Sequence, residues 1–325
     1  MSDTYLGIDI GGTYIKWGVI DAAGEILRMG VLETKVEEGV EYFLDHLYRL
    51  TQEHKDVLGV GICTAGIVDS RCGVVVGGIE NIPYLKGLEL RALLEKHTGK
   101  PVRVLNDVRA AALGENWMGA GKGCENLFCI TIGTGLGGAL MQKGQLYEGA
   151  HFHAGEIGYM RYRPDGSCLE QGYSARALMQ KASETLGQAA LTPNAFFDLV
   201  VEKDPDAVRI YHEWIDGLAQ SLADILLITD PEKLVIGGGI TERGPLLLKP
   251  LKRAIQARLP QEMAEHFSVE LAQCGNSAGM LGAVNYLMAH ASPENKTGFP
   301  NGVHFEANSA ENVKCVSRDA APVAF

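Results

Sequence analysis

The chain has 325 residues, 46% hydrophobic and 21% charged, a balance that argues against a disordered or membrane-embedded protein and gives length for about two domains of ~100 to 200 residues. Its 40 acidic against 29 basic residues leave a net charge of -11, so the overall field does not attract a phosphate backbone and no nucleic-acid partner is expected. Glycine is the outlier at 40 residues, about 12% against a usual ~7%, which implies many tight turns or places where backbone approaches a ligand.

In chain order, Tyr5 to Ile10 reads as a short apolar strand. Gly11 and Gly12 turn it, and Tyr14 to Ile20 continues as a second strand, a hairpin rather than strand, loop and helix. Val40, Phe43, Leu44, Leu47 and Leu50 recur at helical spacing, Val57 to Ile62 resumes as a strand, and Leu88 to Lys96 is a second amphipathic helix. Val102 to Leu105 is another strand, with a helix through Ala110 to Trp117. The glycine-rich stretch Met118 to Glu125 lacks apolar periodicity and marks the expected domain junction.

Beyond it, Leu127 to Leu140 repeats the N-terminus, with Ile8, Ile10 and Gly11 answered by Ile130, Ile132 and Gly133, which implies two similar halves. A long helix carries Ile210, Trp214, Leu218, Leu222 and Ile225 on one face. The strand Lys233 to Ile236 then runs into Gly237, Gly238 and Gly239, and Ser277 to Ala289 forms a final small-residue helix. After His290 the periodicity is lost and Pro, Asn and Ser accumulate. The expected division is therefore 1–118, 119–290 and a tail over 291–325, with the last helix of the second part able to pack back on the first.

The seven cysteines, Cys63, Cys72, Cys124, Cys129, Cys168, Cys274 and Cys315, include no Cys-x-x-Cys pair. An odd, scattered set predicts reduced thiols and a cytoplasmic protein. Met1 to Tyr5 has no basic or apolar leader character, and no apolar run approaches the roughly 18 residues that span a bilayer, so no membrane partner is expected.

Three glycine clusters carry the chemistry. In Asp9-Ile10-Gly11-Gly12-Thr13-Tyr14-Ile15-Lys16 an acid ends a strand and a hydroxyl follows two turn glycines. Backbone N–H groups in such a turn make an anion nest, and Asp9 is suited to hold Mg²⁺ through water. An ordinary hairpin turn explains the same residues. Gly133, Thr134 and Gly135 repeat the arrangement in the other half, so the two hairpins can grip a polyphosphate from both sides. Gly238 and Gly239, after a strand, form the third cluster, where a nucleoside can lie close to backbone. Together they point to a nucleotide.

Asn106 and Asp107 follow a strand at the mouth of a sheet, where ligands collect, yet the same pair suits the cap of the helix that follows. Both readings fit the residues.

With these motifs in hand, the chain resembles the ROK family of sugar kinases and repressors, within the actin-like ATPase superfamily, over about residues 5 to 290. The resemblance rests on Leu6 to Thr13, Gly59 to Asp69, Asn106-Asp107, Ile132 to Gly138, Gly155-Glu-Ile-Gly158 and Ile236 to Gly239. It implies an actin-like (ribonuclease H-like) fold of two α/β domains, each with a mixed five-stranded sheet, around a cleft where ATP with Mg²⁺ meets a sugar. Asp107 is then the general base. Gly66, Asn81, Asn106, Glu156 and Glu170 hold the sugar, and Asp9, Gly11, Gly12, Thr13, Lys16, Gly133, Thr134, Gly135, Gly238 and Gly239 hold the nucleotide. A homodimer is implied by the resemblance alone.

The chain departs from the family pattern in one place. Many relatives have a histidine after Gly-Glu-Ile-Gly and a cysteine-rich loop that bind a structural zinc. Tyr159 stands at the histidine position and Cys168 is the loop's single cysteine, too few ligands for tetrahedral zinc. The zinc-free branch includes kinases of β-glucosides, so the expected acceptor is a hexose or hexoside. The alternative is a non-catalytic, sugar-sensing or transcription-regulating member. Family repressors place a helix-turn-helix domain before the phosphate hairpin, which begins here at Leu6.

Overall fold

Leu6, Ile8 and Ile10, spaced by two and fully buried, define the inward face of β1 (Thr4–Ile10). The Gly11-Gly12 turn returns the chain into β2 (Tyr14–Asp21), and β3 (Ile26–Glu33) completes an antiparallel meander. Helix α1 (Gly39–Glu53), which buries Phe43, Leu47 and Leu50, crosses to β4 (Val60–Thr64), parallel to β1. A small two-stranded sheet follows, β5 (Ile67–Asp69) with β6 (Val74–Gly77). Helix α2 (Leu90–Thr98) then leads to β7 (Val102–Asn106), parallel to β4. The order is β3-β2-β1-β4-β7. These elements belong to a computed structural model that describes residues 3–162, 165–189 and 191–291.

After α3 (Asp107–Met118) the pattern repeats. Strands β8 (Leu127–Ile132), β9 (Leu136–Gln142) and β10 (Gln145–Tyr147) form a second antiparallel meander. Helices α4 (Leu169–Tyr173), α5 (Ala175–Leu186), α6 (Pro193–Val201) and α7 (Pro205–Thr229) lead to β11 (Lys233–Gly237), parallel to β8. Helices α8 (Pro245–Gln256) and α9 (Gln261–His266) precede β12 (Ser268–Leu271), and α10 (Ala278–Ala291) closes the described chain. The second sheet runs β10-β9-β8-β11-β12, the same connectivity as the first. The repeat read between Ile8 and Ile130 is thus a repeat of topology.

Each sheet has its own apolar core. A third cluster, with Leu105, Val108, Leu127, Cys129, Val235 and Ala283, joins α3 and α10 to both sheets. Helices α3 and α10 cross backbone to backbone. A Cβ on Gly282 would fall 1.7 Å from the Ala110 carbonyl oxygen, and one on Gly114 would fall 2.1 Å from that of Ala278. Helix α10 also lies on β1 and β4, where Gly61 would bring a Cβ within 2.4 Å of the Ala283 carbonyl oxygen. Part of the glycine excess therefore serves helix and sheet packing rather than a ligand.

Several elements differ from the sequence-based expectation. The strand expected at Val57 begins at Val60, because Val57 is still in a turn with its N–H on the His54 carbonyl oxygen. The helix expected from Ala110 begins at Asp107. Met118 to Glu125 is the connection between α3 and β8, and Gly237 to Gly239 leads first into a short 3-10 turn, Gly239–Arg243, and then α8. The expected tail lies outside the described residues except for Ala291. Among the described residues, no helix is long and apolar enough to cross a membrane.

Candidate active site

The register Ile10↔Thr64↔Asn106 aligns the C-terminal ends of β1, β4 and β7, and Asp107 is the first residue beyond that edge. The sequence left two roles open for Asn106-Asp107, and the geometry separates them. Asn106 is the cap of α3, its Oδ1 accepting from the N–H groups of Val108 (2.9 Å) and Arg109 (3.1 Å). Its Nδ2 donates to the Gly66 carbonyl oxygen (2.9 Å) and to Asp107 Oδ1 (2.8 Å). Asp107 Oδ1 also accepts from the Val108 N–H at 2.9 Å. One oxygen of Asp107 is thus fixed by two donors. Desolvation pushes the carboxyl up to about 6, the charge of Asp9 adding to the rise and the hydrogen bonds opposing it.

Two cavities meet at this residue. One, of about 520 Å³, is lined by Gly66, Asn81, Asn106, Asp107, Glu156 and Glu170 together with the glycine turn Gly133, Thr134 and Gly135. The other, of about 310 Å³, is lined by Asp9, Lys16, Asp107, Gly239, Asn276 and Gly279 among others. Asp107, Val108, Thr131 and Gly238 belong to both walls.

The first cavity holds three further carboxylates. Glu156 is half-buried, and burial raises its pKa against the opposing pull of Arg109 and His153; Asp107 and Glu170 add to the rise. Glu170 Oε2 accepts from the Leu136 N–H at 3.1 Å, and Oε1 lies 3.6 Å from Arg176 Nη2. A Cβ on Gly135 would come within 2.7 Å of Glu170 Oε2, so the second hairpin must be bare there for the carboxylate to sit against it. Glu80 also lines this cavity. Tyr159, largely exposed, and Cys168 line it too. Among the described residues no three His, Cys, Asp or Glu side chains group closely enough to hold a metal ion.

In the second cavity Asp9 and Lys16 face each other across the β1-β2 ladder, with Lys16 Nζ 3.7 Å from Asp9 Oδ2 and 3.3 Å from Asn276 Oδ1. Burial raises the Asp9 carboxyl, countered by Lys16 and by the Cys63 thiol 3.5 Å from Oδ1. Gly11, Gly12 and Thr13 line neither cavity. They form the turn between: the Gly11 N–H donates to the Tyr14 carbonyl oxygen, and Thr34 braces the turn through the carbonyl oxygens of Gly11 (2.6 Å) and Thr13 (2.9 Å). A Cβ on Gly12 would stand 3.3 Å from Asn81 Cβ, which sets this turn beside the first cavity's wall.

The lining residues that the sequence did not assign include Glu80, Thr131, Arg176 and Asn276. Thr131 had a signal, since it occupies in the second half the place of Asp9 in the first. The others follow no motif.

The family model described as ROK family matches residues 5–290. The glucokinase of Halalkalibacterium halodurans is 32% identical over 313 residues, covering 87% of this chain and 94% of its own length. The β-glucoside kinase of Listeria innocua is 32% identical over 289 residues, covering 86% of this chain and 96% of its own. Among solved structures, the ROK family glucokinase of Streptomyces griseus in complex with glucose and AMPPNP superposes with a TM-score of 0.74 at 32% identity, over 87% of this chain and 98% of that one. Two sheets of one connectivity, an Asn-Asp pair at the strand ends and a match over nearly the whole described chain place this protein in the ROK family, with the actin-like ATPase fold.

Proposed function

We propose that the chain transfers the γ-phosphoryl group of ATP to a primary hydroxyl of a hexose or hexoside, with Asp107 as general base. The observation that carries this reading is the position of Asp107 in the wall common to both cavities. Transfer needs the acceptor oxygen in line with the γ-phosphorus and its proton removed as the bond forms. A carboxylate between a sugar compartment and a nucleotide compartment meets both demands. Desolvation to about 6 makes Asp107 a better proton acceptor than an ordinary aspartate while leaving it ionised at neutral pH.

The sugar occupies the larger cavity, with Asn81, Glu156 and Glu170 accepting or donating to its hydroxyls and the Gly66 backbone at the turn. Both N–H groups and both lone pairs of the Asn106 amide are already used within the protein. Asn106 therefore serves by holding Asp107 and Gly66. ATP lies in the smaller cavity, its phosphates toward the turns at Gly11 to Thr13 and Gly133 to Gly135, and its nucleoside against Gly238 and Gly239. Asp9, one of the carboxylates that line that cavity, fits a Mg²⁺ ion, which keeps most of its waters and takes one or two protein carboxylates plus phosphate oxygens. Bound with ATP, the cation offsets charge on the phosphate oxygens.

The two sheets form the proposed lobes, 1–118 and 119–290. The six described cysteines are all free, which supports a reducing, cytoplasmic setting, and the family supports a homodimer. ATP with Mg²⁺ and a panel of glucose, mannose, fructose, N-acetylmannosamine and cellobiose should give sugar-dependent ADP release and a phosphorylated sugar with at least one member. ADP release indifferent to every sugar would overturn the proposal.

A further inference from the structure

Arg109 is the third residue of α3 and one of the largest fully buried side chains, at 1% exposure. Arginine is rarely buried so completely unless its charge and donors are used. Its guanidinium reaches out of α3 to the segment between β10 and Glu156, donating to the carbonyl oxygens of Phe152 and Ala154 (3.4 Å) and to Glu148 Oε1 (3.4 Å). The other Glu148 oxygen accepts from Ser70 Oγ at 2.7 Å. This segment does not hold its own shape through a helix or ladder. Phe152 adopts φ of 60° and Gly155 φ of 88°, the left-handed region that a phenylalanine occupies only when its surroundings impose it. A second guanidinium, Arg71, sits 4.7 Å from the Phe152 ring centroid while bonded to Asp69.

We infer that Arg109 is a positioning residue: it clamps the segment that carries Glu156 onto the helix that carries Asp107, and so fixes the distance between the sugar's carboxylate partner and the base. Being buried, it does not touch the substrate. The inference rests on the sugar-site role given above to Glu156. Its charge has a second consequence. The groups that face Glu156 are Arg109 and His153, which favour the carboxylate, and Asp107 and Glu170, which oppose it. Removing the guanidinium leaves Glu156 among like charges and easier to protonate.

The test compares wild type, Arg109→Met, Arg109→Lys and Glu148→Gln, using the sugar that the wild type phosphorylates. Arg109→Met should raise the sugar KM about tenfold or more and lower kcat, while the ATP KM stays within about threefold, because the acceptor is held less tightly and placed less accurately against the base. Protonation of Glu156 should then add to that of Asp107, so that the acid limb of kcat/KM for the sugar begins at higher pH. Arg109→Lys should return that limb to the wild-type position and recover part of the sugar KM. Glu148→Gln, with the guanidinium present but its anchor weakened, should raise the sugar KM in the same direction. Unchanged sugar KM in the folded methionine variant, or equal losses for sugar and ATP, overturns the inference. Should that variant not fold, unchanged sugar KM in both Arg109→Lys and Glu148→Gln overturns it. A wild type inactive on every sugar refutes the kinase reading itself, a different outcome from an active enzyme that is indifferent to Arg109.

Discussion

The β1-β2 and β8-β9 hairpins occupy the same place in two sheets of identical connectivity, yet they present different chemistry. In the first, the facing residues are Asp9 and Lys16, an ion pair on the smaller cavity. In the second, the facing residues are Thr131 and Gly137, with no charge. Gly137 is where the N-terminus of α3 crosses: a Cβ there would lie 2.6 Å from Val108 Cγ2, next to Asp107. On the proposed reading, the first hairpin supplies charge to the phosphates and the second supplies room for the base. A repeated topology has kept its backbone turns and divided the polar work between its halves.

Breaking each half should give a different kinetic signature. The largest effect falls on the residue that both share: Asp107→Asn should lower kcat by roughly 10²- to 10⁴-fold with the ATP KM little changed, checked in the coupled ADP assay. Gly137→Ala should come next. Its methyl pushes on Val108 and tilts the start of α3, so kcat should fall about tenfold or more with a folded protein by circular dichroism, as misplacement of a reacting group costs rate rather than affinity. Lys16→Met should raise the ATP KM by up to about tenfold and leave the sugar KM alone, since that half's charge serves the nucleotide. If Gly137→Ala altered ATP affinity and Lys16→Met altered the sugar, the division of labour between the hairpins would be refuted.

The smallest effect concerns stability. Asp107 titrates higher in the folded chain than its ordinary 3.8, so its protonated form favours folding. That contribution is complete below the unfolded pKa and is lost as pH rises through about 6. Asp107→Asn keeps an oxygen for the Val108 N–H and removes the buried charge. It should therefore be more stable than wild type at pH 8, by on the order of 1–3 kcal/mol, and not at pH 4. Denaturant melts at the two pH values check the sign.

The glycine turns, the two hairpins and the long α7 were legible because apolar periodicity and turn residues agree there. Strand β3 was not: it is an edge strand whose outward Leu27, Met29 and Val31 are exposed, so no polar and apolar alternation marks a buried face. Helix α8 contains Pro250, which reads as a breaker, and β12 is short with a charge, Glu270, in its middle. At the site, the six residues assigned to the sugar and its base lie on one cavity wall, and that assignment came through motif resemblance more than through spacing. Arg109 was invisible for a physical reason: nothing in a sequence says that an arginine on a helix turns inward, and its partners Glu148, Phe152 and Ala154 are some forty residues away.

The most direct test of Asp107 as base is the pH profile of kcat/KM for the acceptor sugar, measured for wild type and Asp107→Asn with ATP and Mg²⁺ saturating. A carboxylate that must be ionised, with its pKa pushed up to about 6, requires the wild-type rate to fall below that pH and the variant's residual rate to lack that limb. A wild-type rate that holds steady down to about pH 4, or a variant that keeps both the limb and near-normal turnover, would contradict it.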